Sequence, residues 1–277
     1  MPSIDWNLLQ GRSVLLTGGA SGLGAATARK FHQHGAYITI ADLQTEAGEQ
    51  LSKELGERTT FVYCDVTDWA STAAAFRHAA NFAPSKTIDV VVPFAGVGGE
   101  QRSLVDLVLD QPAPTLDREA AARPAHQAID VNLVGEYIST YLALQYFRLP
   151  PANGQQDFKK SLILISSLGA YIDMAYNTGY ATSKNGVRGM FRSIRSQTGK
   201  VNARVNNIAP GYVLTPMVKR VHGIDRPGEP SKATGLDLPW TPIDYVVDVV
   251  GMCAVDESID GTANLELIVV TPADLDA

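Results

Sequence analysis

Apolar runs of strand length alternate along this chain with amphipathic stretches of helix length. Ser13–Thr17 predicts a first strand, and residues 22–34 predict the helix after it. Residues 36–41 predict a second strand, Thr45–Leu55 a polar helix, 61–64 a third strand and 88–94 a fourth. These runs are nearly all apolar rather than alternating, the pattern of parallel strands covered on both faces. In the second half a long helix over 124–148 leads to a strand at 161–165, then a helix at 180–198 and a strand at 203–208. A helix at 242–254 and a strand at 265–270 complete the series. Such repetition implies right-handed crossovers and an α/β fold, a doubly wound parallel sheet in three α/β/α layers, as a single domain over 1–277. Two segments, 97–123 and 211–240, break the rhythm with Gly98, Gly99, Pro112 and Pro114 in one and Pro216, Pro227, Pro230 and Pro239 in the other. Loops that long inside a compact domain are usually functional, and these are expected to serve the substrate.

Composition narrows the partners. The net charge of −6 and pI near 5.4 argue against nucleic acid, which demands a basic face. Cys64 and Cys253 supply no disulfide framework, and Cys64 reads as a small packing residue within an apolar run. The start, Met1-Pro2-Ser3-Ile4-Asp5-Trp6, has neither a cationic nor an apolar signal region, and no stretch is long enough to span a bilayer. A cytoplasmic setting without membrane association is the expectation. None of the five histidines falls in a metal-ligand spacing, so no metal is assigned.

Two features carry chemistry. Thr17-Gly18-Gly19-Ala20-Ser21-Gly22-Leu23-Gly24 follows a predicted strand and opens a predicted helix, the context in which a glycine-rich turn holds a pyrophosphate. Gly18 and Gly22 let the backbone approach phosphates, and Gly24 lets the helix pack closely. Asp42, a little over twenty residues on, ends the second strand, where it can accept from the adenosine ribose and repel a 2′-phosphate. Ser21 and Leu43 offer no compensating cation, so NAD is favoured over NADP. Asp42 can also cap the next helix. Far downstream, Tyr180 and Lys184 stand four residues apart on a predicted helix, sharing a face with about 6 Å of rise. An ammonium beside a phenol favours the phenolate, as proton transfer at an alcohol requires.

These residues and others in register resemble the short-chain dehydrogenase/reductase family over essentially the whole chain. Thr17-Gly18-x-x-x-Gly22-x-Gly24 looks like its cofactor turn, Cys64-Asp65-Val66 its adenine-contact step, and Val131-Asn132-Leu133 its asparagine motif. Ser167 lies thirteen residues before Tyr180, the family's interval, and Pro210-Gly211-Tyr212-Val213-Leu214-Thr215 is similar to its nicotinamide loop. The resemblance implies a Rossmann fold and a catalytic tetrad of Asn132, Ser167, Tyr180 and Lys184. It implies cofactor contacts at Gly18, Ser21, Gly22, Leu23, Gly24, Asp42, Asp65, Val66, Ala95 and Gly96, and at Tyr180, Lys184, Pro210, Gly211, Val213 and Thr215. Where the family has Asn-Asn-Ala-Gly after the fourth strand, this chain has Pro93-Phe94-Ala95-Gly96, which forfeits an asparagine hydrogen bond. The end, Val269-Val270-Thr271-Pro272, lacks the family's glycine pair.

In the implied reaction Tyr180 is the general base for alcohol oxidation and the general acid for ketone reduction. Moving a phenol from ~10 to ~7 takes about 4 kcal/mol of phenolate stabilisation, for which Lys184 and the oxidised nicotinamide are the sources. Lys184 also bonds the nicotinamide ribose, Ser167 holds the substrate oxygen, and Asn132 holds a water against Lys184. Ser166 and Tyr176 are the nearest rivals on residue type. Leu168, Tyr171, Ile172, Met174 and Tyr176, with Tyr212, Leu214, Met217 and Val218, suggest an apolar, partly aromatic cleft. A hydrophobic or aromatic secondary alcohol or its ketone is the expected substrate. Ile129, Leu133, Tyr137, Tyr141 and Leu144 recur in near-helical spacing, but one such stripe must face its own sheet, so a homodimer or homotetramer is expected from the resemblance alone. Two alternatives stand beside this reading: an NADP-dependent ketone reductase, and a non-redox scaffold that binds a dinucleotide.

Overall fold

The computed structural model describes residues 4–117, 123–152, 158–227, 229, 231–232 and 240–261, and the backbone of 266–269. Its strands are β1 (Ser13–Thr17), β2 (Tyr37–Asp42), β3 (Thr59–Tyr63), β4 (Val90–Pro93), β5 (Lys160–Ile165), β6 (Ala203–Pro210) and β7 (Glu266–Val269). All pair in parallel, in the order β3-β2-β1-β4-β5-β6-β7. Side chains alternate between the two faces, so consecutive residues enter different cores. Val14, Leu16, Val90, Val92 and Ile163 pack with Phe31 of α1 (Gly22–Gln33) and Val246 and Val250 near the C-terminus. Leu15, Val91 and Leu162 pack on the other side with Phe76, Leu142 and Phe191. Two buried faces explain the uninterrupted apolar runs in the strands.

The helix after β2, α2, spans Thr45–Leu55 as expected. The next, α3 (Trp69–Phe82), has no counterpart in the sequence expectation; Asp68 caps it, accepting the Ser71 N–H at 2.6 Å. The helix expected over 124–148 is three pieces. A short α5 (Gln127–Ile129) runs into a π-helical turn at Asp130–Gly135, and α6 (Glu136–Tyr146) follows. Pro124 to His126 precede the first helical residue. The π turn admits a surplus residue, and such turns are frequent at functional sites.

The two arrhythmic segments also hold helices. In 97–123, α4 (Leu104–Leu109) starts from a capping box formed by Ser103 and Asp106, and Leu104 N donates to Thr178 Oγ1 at 3.2 Å. After β5 comes α7 (Thr178–Ile194), and in 211–240 Thr215 caps α8 (Pro216–His222). The last helix is α9 (Ile243–Val255). Positions 118–122, 228, 230 and 233–239 of those segments lie outside the described residues, as do 265 and 270 of the last expected strand and the Thr271-Pro272 end. No helix among the described residues is long and apolar enough to cross a membrane.

Candidate active site

β1 lies beside β4, and the chain leaves β1 toward one edge of the sheet and β4 toward the other, so a crevice opens at their C-terminal ends. The glycine turn sits there. At Gly18 (φ +65°) an added Cβ would lie 2.5 Å from Ala95 N, so the residue lets the turn rest directly on the chain leaving β4. At Gly24 a Cβ would lie 2.2 Å from Gly18 O, so α1 starts hard against its own turn. Pro93 ends β4 opposite Thr17, whose Oγ1 is buried with no hydrogen-bond partner among the described residues.

The crevice measures about 1010 Å³, at the top of the usual range for cofactor sites. Every position expected at the cofactor lines it, from Gly18, Ser21, Gly22, Leu23 and Gly24 through Asp42, Asp65, Val66, Ala95 and Gly96 to Pro210, Gly211, Val213 and Thr215. The N-terminus of α1 faces it, and Ser21 at the N-cap does not turn its hydroxyl back on the helix. A helix end left open in this way suits a pyrophosphate. Asp42, almost fully buried, accepts from Ala20 N at 2.9 Å through one oxygen and from Gln44 N at 3.0 Å through the other. It thus braces the glycine turn and the start of the next connection; Oδ1 also accepts from Gln44 Nε2 at 3.5 Å, and the second lone pair of Oδ2 is still available to a ribose hydroxyl. Ser21, Leu43 and Gln44 around it carry no positive charge. The residues present fit a dinucleotide.

The tyrosine–lysine pair stands across the crevice. Asn177 caps α7, accepting the Tyr180 N–H at 3.2 Å, and its amide donates to Gly98 O at 2.6 Å. Lys184, one turn beyond Tyr180, is buried and donates to Ile165 O at the end of β5 at 2.7 Å. Asn132, in the π turn, is fully buried. Its Oδ1 accepts from Val97 N at 2.8 Å, while Nδ2 donates to Val97 O at 3.0 Å and Ser183 Oγ at 3.2 Å. It stitches the loop after β4 to α7, leaving one Oδ1 lone pair for any water.

Ser167 lines the crevice and also a smaller chamber beside it, and it accepts the Gly169 N–H at 3.1 Å. Its neighbour Ser166 is buried in the sheet, donating to Ile208 O and accepting from Asn207. The two serines are therefore distinguished by burial, not spacing alone. Tyr180 lies on the wall common to both cavities.

That chamber is lined by Leu168, Ile172, Met174, Tyr212, Met217 and Val218, all expected there. Tyr171, Tyr176 and Leu214, equally expected, are not among its walls. Tyr176 is 61% exposed, whereas the Tyr171 hydroxyl meets Asn207 Nδ2 at 3.3 Å beneath the guanidinium of Arg188. Gln101, Asn177, Val221 and His222 line it without having been anticipated. His222 shares a hydrogen bond with Ser231 Oγ at 2.8 Å and packs edge-on against Tyr212; burial holds its imidazole below the usual range. Burial, aided by Tyr180, pushes the Tyr212 phenol upward, so it remains a neutral hydroxyl donor in the chamber. Cys64 touches the crevice, but its buried thiol is pushed up to about 11 and carries no nucleophile.

A profile of the short chain dehydrogenase family matches residues 12–223, from just before β1 to just past α8. The 5'-hydroxyaverantin dehydrogenase of Dothistroma septosporum is 41% identical over 269 residues, 94% of this chain and 86% of that protein. The NADP-dependent dehydrogenase M3 of a Phoma species is 34% identical over 216 residues, 76% of this chain and 62% of that one. Among solved structures, levodione reductase superimposes with a TM-score of 0.74 at 23% identity, over 97% of this chain and 99% of the other. With the glycine turn at the switch point of the sheet and the tyrosine–lysine pair opposite it both inside the matched span, the chain belongs to the short-chain dehydrogenase family.

Proposed function

We propose that this oxidoreductase interconverts a hydrophobic or aromatic secondary alcohol and its ketone, using NAD, with Tyr180 as the proton-transfer group. The observation that carries the reading is the position of Tyr180 and Ser167 on the wall shared by the dinucleotide crevice and the apolar chamber. A substrate oxygen in the chamber meets both hydroxyls there. The bound dinucleotide supplies the hydride acceptor or donor. Ser167 orients the substrate oxygen and stabilises charge growing on it, while Tyr180 takes or returns the proton. Lys184 holds positive charge beside the phenol, and Asn132 keeps α7 registered to the loop that bounds the crevice. Leu168, Ile172, Met174, Met217 and Val218 exclude water and select an apolar substrate. The name of the Dothistroma relative makes 5'-hydroxyaverantin the first substrate to assay.

NAD rather than NADP is proposed from Asp42, which would oppose a 2′-phosphate. The NADP-dependent naming of the Phoma relative supports the opposite choice, and direct comparison of the two dinucleotides by calorimetry decides. Tighter binding of the phosphorylated form would reverse the assignment. Tyr180→Phe is expected to lower turnover by about 10³-fold with dinucleotide binding retained. Undiminished turnover would leave a scaffold rather than a dehydrogenase. Homo-oligomerisation and a cytoplasmic location are proposed from the family alone. The exposed Tyr137 and Tyr141 on α6 are the surface to perturb while following mass by light scattering.

A further inference from the structure

Glu136 opens α6 four residues beyond Asn132 and is 2% exposed. Its Oε1 accepts the Ile165 N–H at 2.9 Å. Its Oε2 has no hydrogen-bond partner among the described residues and faces Lys184 Nζ at 4.0 Å. Lys184 in turn donates to the carbonyl of that same Ile165 at 2.7 Å. Both polar groups of one peptide residue at the end of β5 thus anchor the carboxyl and the ammonium, holding them as a pair without letting them touch.

A merely structural carboxylate would be fully bonded, because an unsatisfied charged oxygen in a dry interior is expensive. A group that gains and loses a proton escapes that penalty, since its neutral form tolerates burial. Burial pushes the Glu136 carboxyl up to about 7, against the opposing pull of Lys184 and the Ile165 N–H. From α7 the charged group facing it is Lys184. On the other elements packed against α6 the titratable groups are engaged or turned away. Asp130 of the π turn pairs with His126, His78 of α3 bonds Thr60, Lys160 of β5 bonds Asp89, and Arg77 of α3 is exposed.

We propose that Glu136 is a positioning residue for the proton transfer at Tyr180, acting through Lys184 as a counter-ion that exchanges its own proton. Ionised, it offsets the ammonium and weakens the positive field on the phenol oxygen. Protonated, it leaves the full charge of Lys184 to act there. The inference rests on the proposed roles of Tyr180 and Lys184. It predicts that the rise of alcohol oxidation with pH is drawn out, because each step toward higher pH also charges Glu136.

Two measurements test it. In Glu136→Gln, which keeps an acceptor for the Ile165 N–H, the pH profile of kcat/KM for oxidation should become a single steeper ionisation. It should also move about one unit toward acid, or about tenfold in rate at a fixed pH on the rising limb. Glu136→Asp, which retains a carboxyl but withdraws it, should restore the drawn-out shape. Separately, ¹³C-carboxyl-labelled glutamate should show in the wild-type protein one resonance with a midpoint near neutrality, missing from Glu136→Gln. An unaltered profile in the glutamine variant, or no such resonance, overturns the proposal. Should Glu136→Gln not fold, the wild-type titration decides alone. Loss of activity in Tyr180→Phe together with an unaltered Glu136→Gln profile removes this inference and leaves the dehydrogenase reading intact, whereas full activity in Tyr180→Phe removes the reading beneath it.

Discussion

Strand β5 has a buried lysine and a buried carboxylate at each end, and the two pairs are built differently. At its start Lys160 touches Asp89 at 2.5 Å and bonds Thr87 Oγ1 at 2.9 Å, while the second Asp89 oxygen takes the Ser13 N–H at 2.9 Å. At its finish Lys184 and Glu136 stand 4.0 Å apart, with one carboxyl oxygen unpartnered among the described residues. The first pair is closed on all sides and lies away from the crevice. The second is left open beside it. The same two kinds of side chain, equally buried, are thus saturated in one place and left open in the other, and on the proposed reading the first serves architecture and the second chemistry.

Removing one member from each pair should separate these roles most sharply. Lys184→Met is expected to cut turnover by about 10³-fold, since the phenol loses its charge partner, while unfolding in urea changes little because Glu136 can stay protonated. Lys160→Met should do the reverse. It strands Asp89 in the interior and costs about 3–5 kcal/mol of stability in the same urea experiment, with kcat/KM of the folded fraction unchanged. If Lys160→Met also abolished activity at full stability, the contrast would be wrong.

A smaller effect sharpens the comparison without touching the lysines. The folded protein raises the Glu136 carboxyl from the usual 4.5 to about 7, so it binds that proton more tightly than the unfolded chain does. The associated stability is fully present below about pH 4.5 and is lost as pH rises to about 7, on the order of 3 kcal/mol. The difference in unfolding free energy between wild type and Glu136→Gln should follow that sign across pH 4 to 8. A flat difference would mean that the open pair is not titrating.

The strands and the cofactor crevice were legible because their determinants are local. A strand covered on both faces advertises itself as an apolar run, and many crevice-lining positions sit where runs end in glycine or Asp42. Helix α3 was not legible, because Ala73, Ala74, Ala75, Ala79 and Ala80 give little contrast between a buried and an exposed face. The chamber was half legible. Whether a loop aromatic points inward depends on distant partners, such as Asn207 and Arg188 for Tyr171, and no spacing rule contains them. Glu136 was invisible because a lone glutamate on a helix reads as a solvated residue. Only the tertiary approach of β5 and α7 takes its water away.

The π turn at Asp130–Gly135 has a genetic corollary. A helix with one residue too many absorbs the deletion of that residue by reverting to regular winding, so removing Val131 should leave helix content by circular dichroism almost untouched. Yet the amide at Asn132 would swing by about 100° around the helix axis and let go of Val97 and Ser183. A lesion silent to spectroscopy would then unfasten α7, which carries Tyr180, from the loop after β4, and on the proposed reading a frame-preserving three-base loss there would give an inactive but well-folded allele.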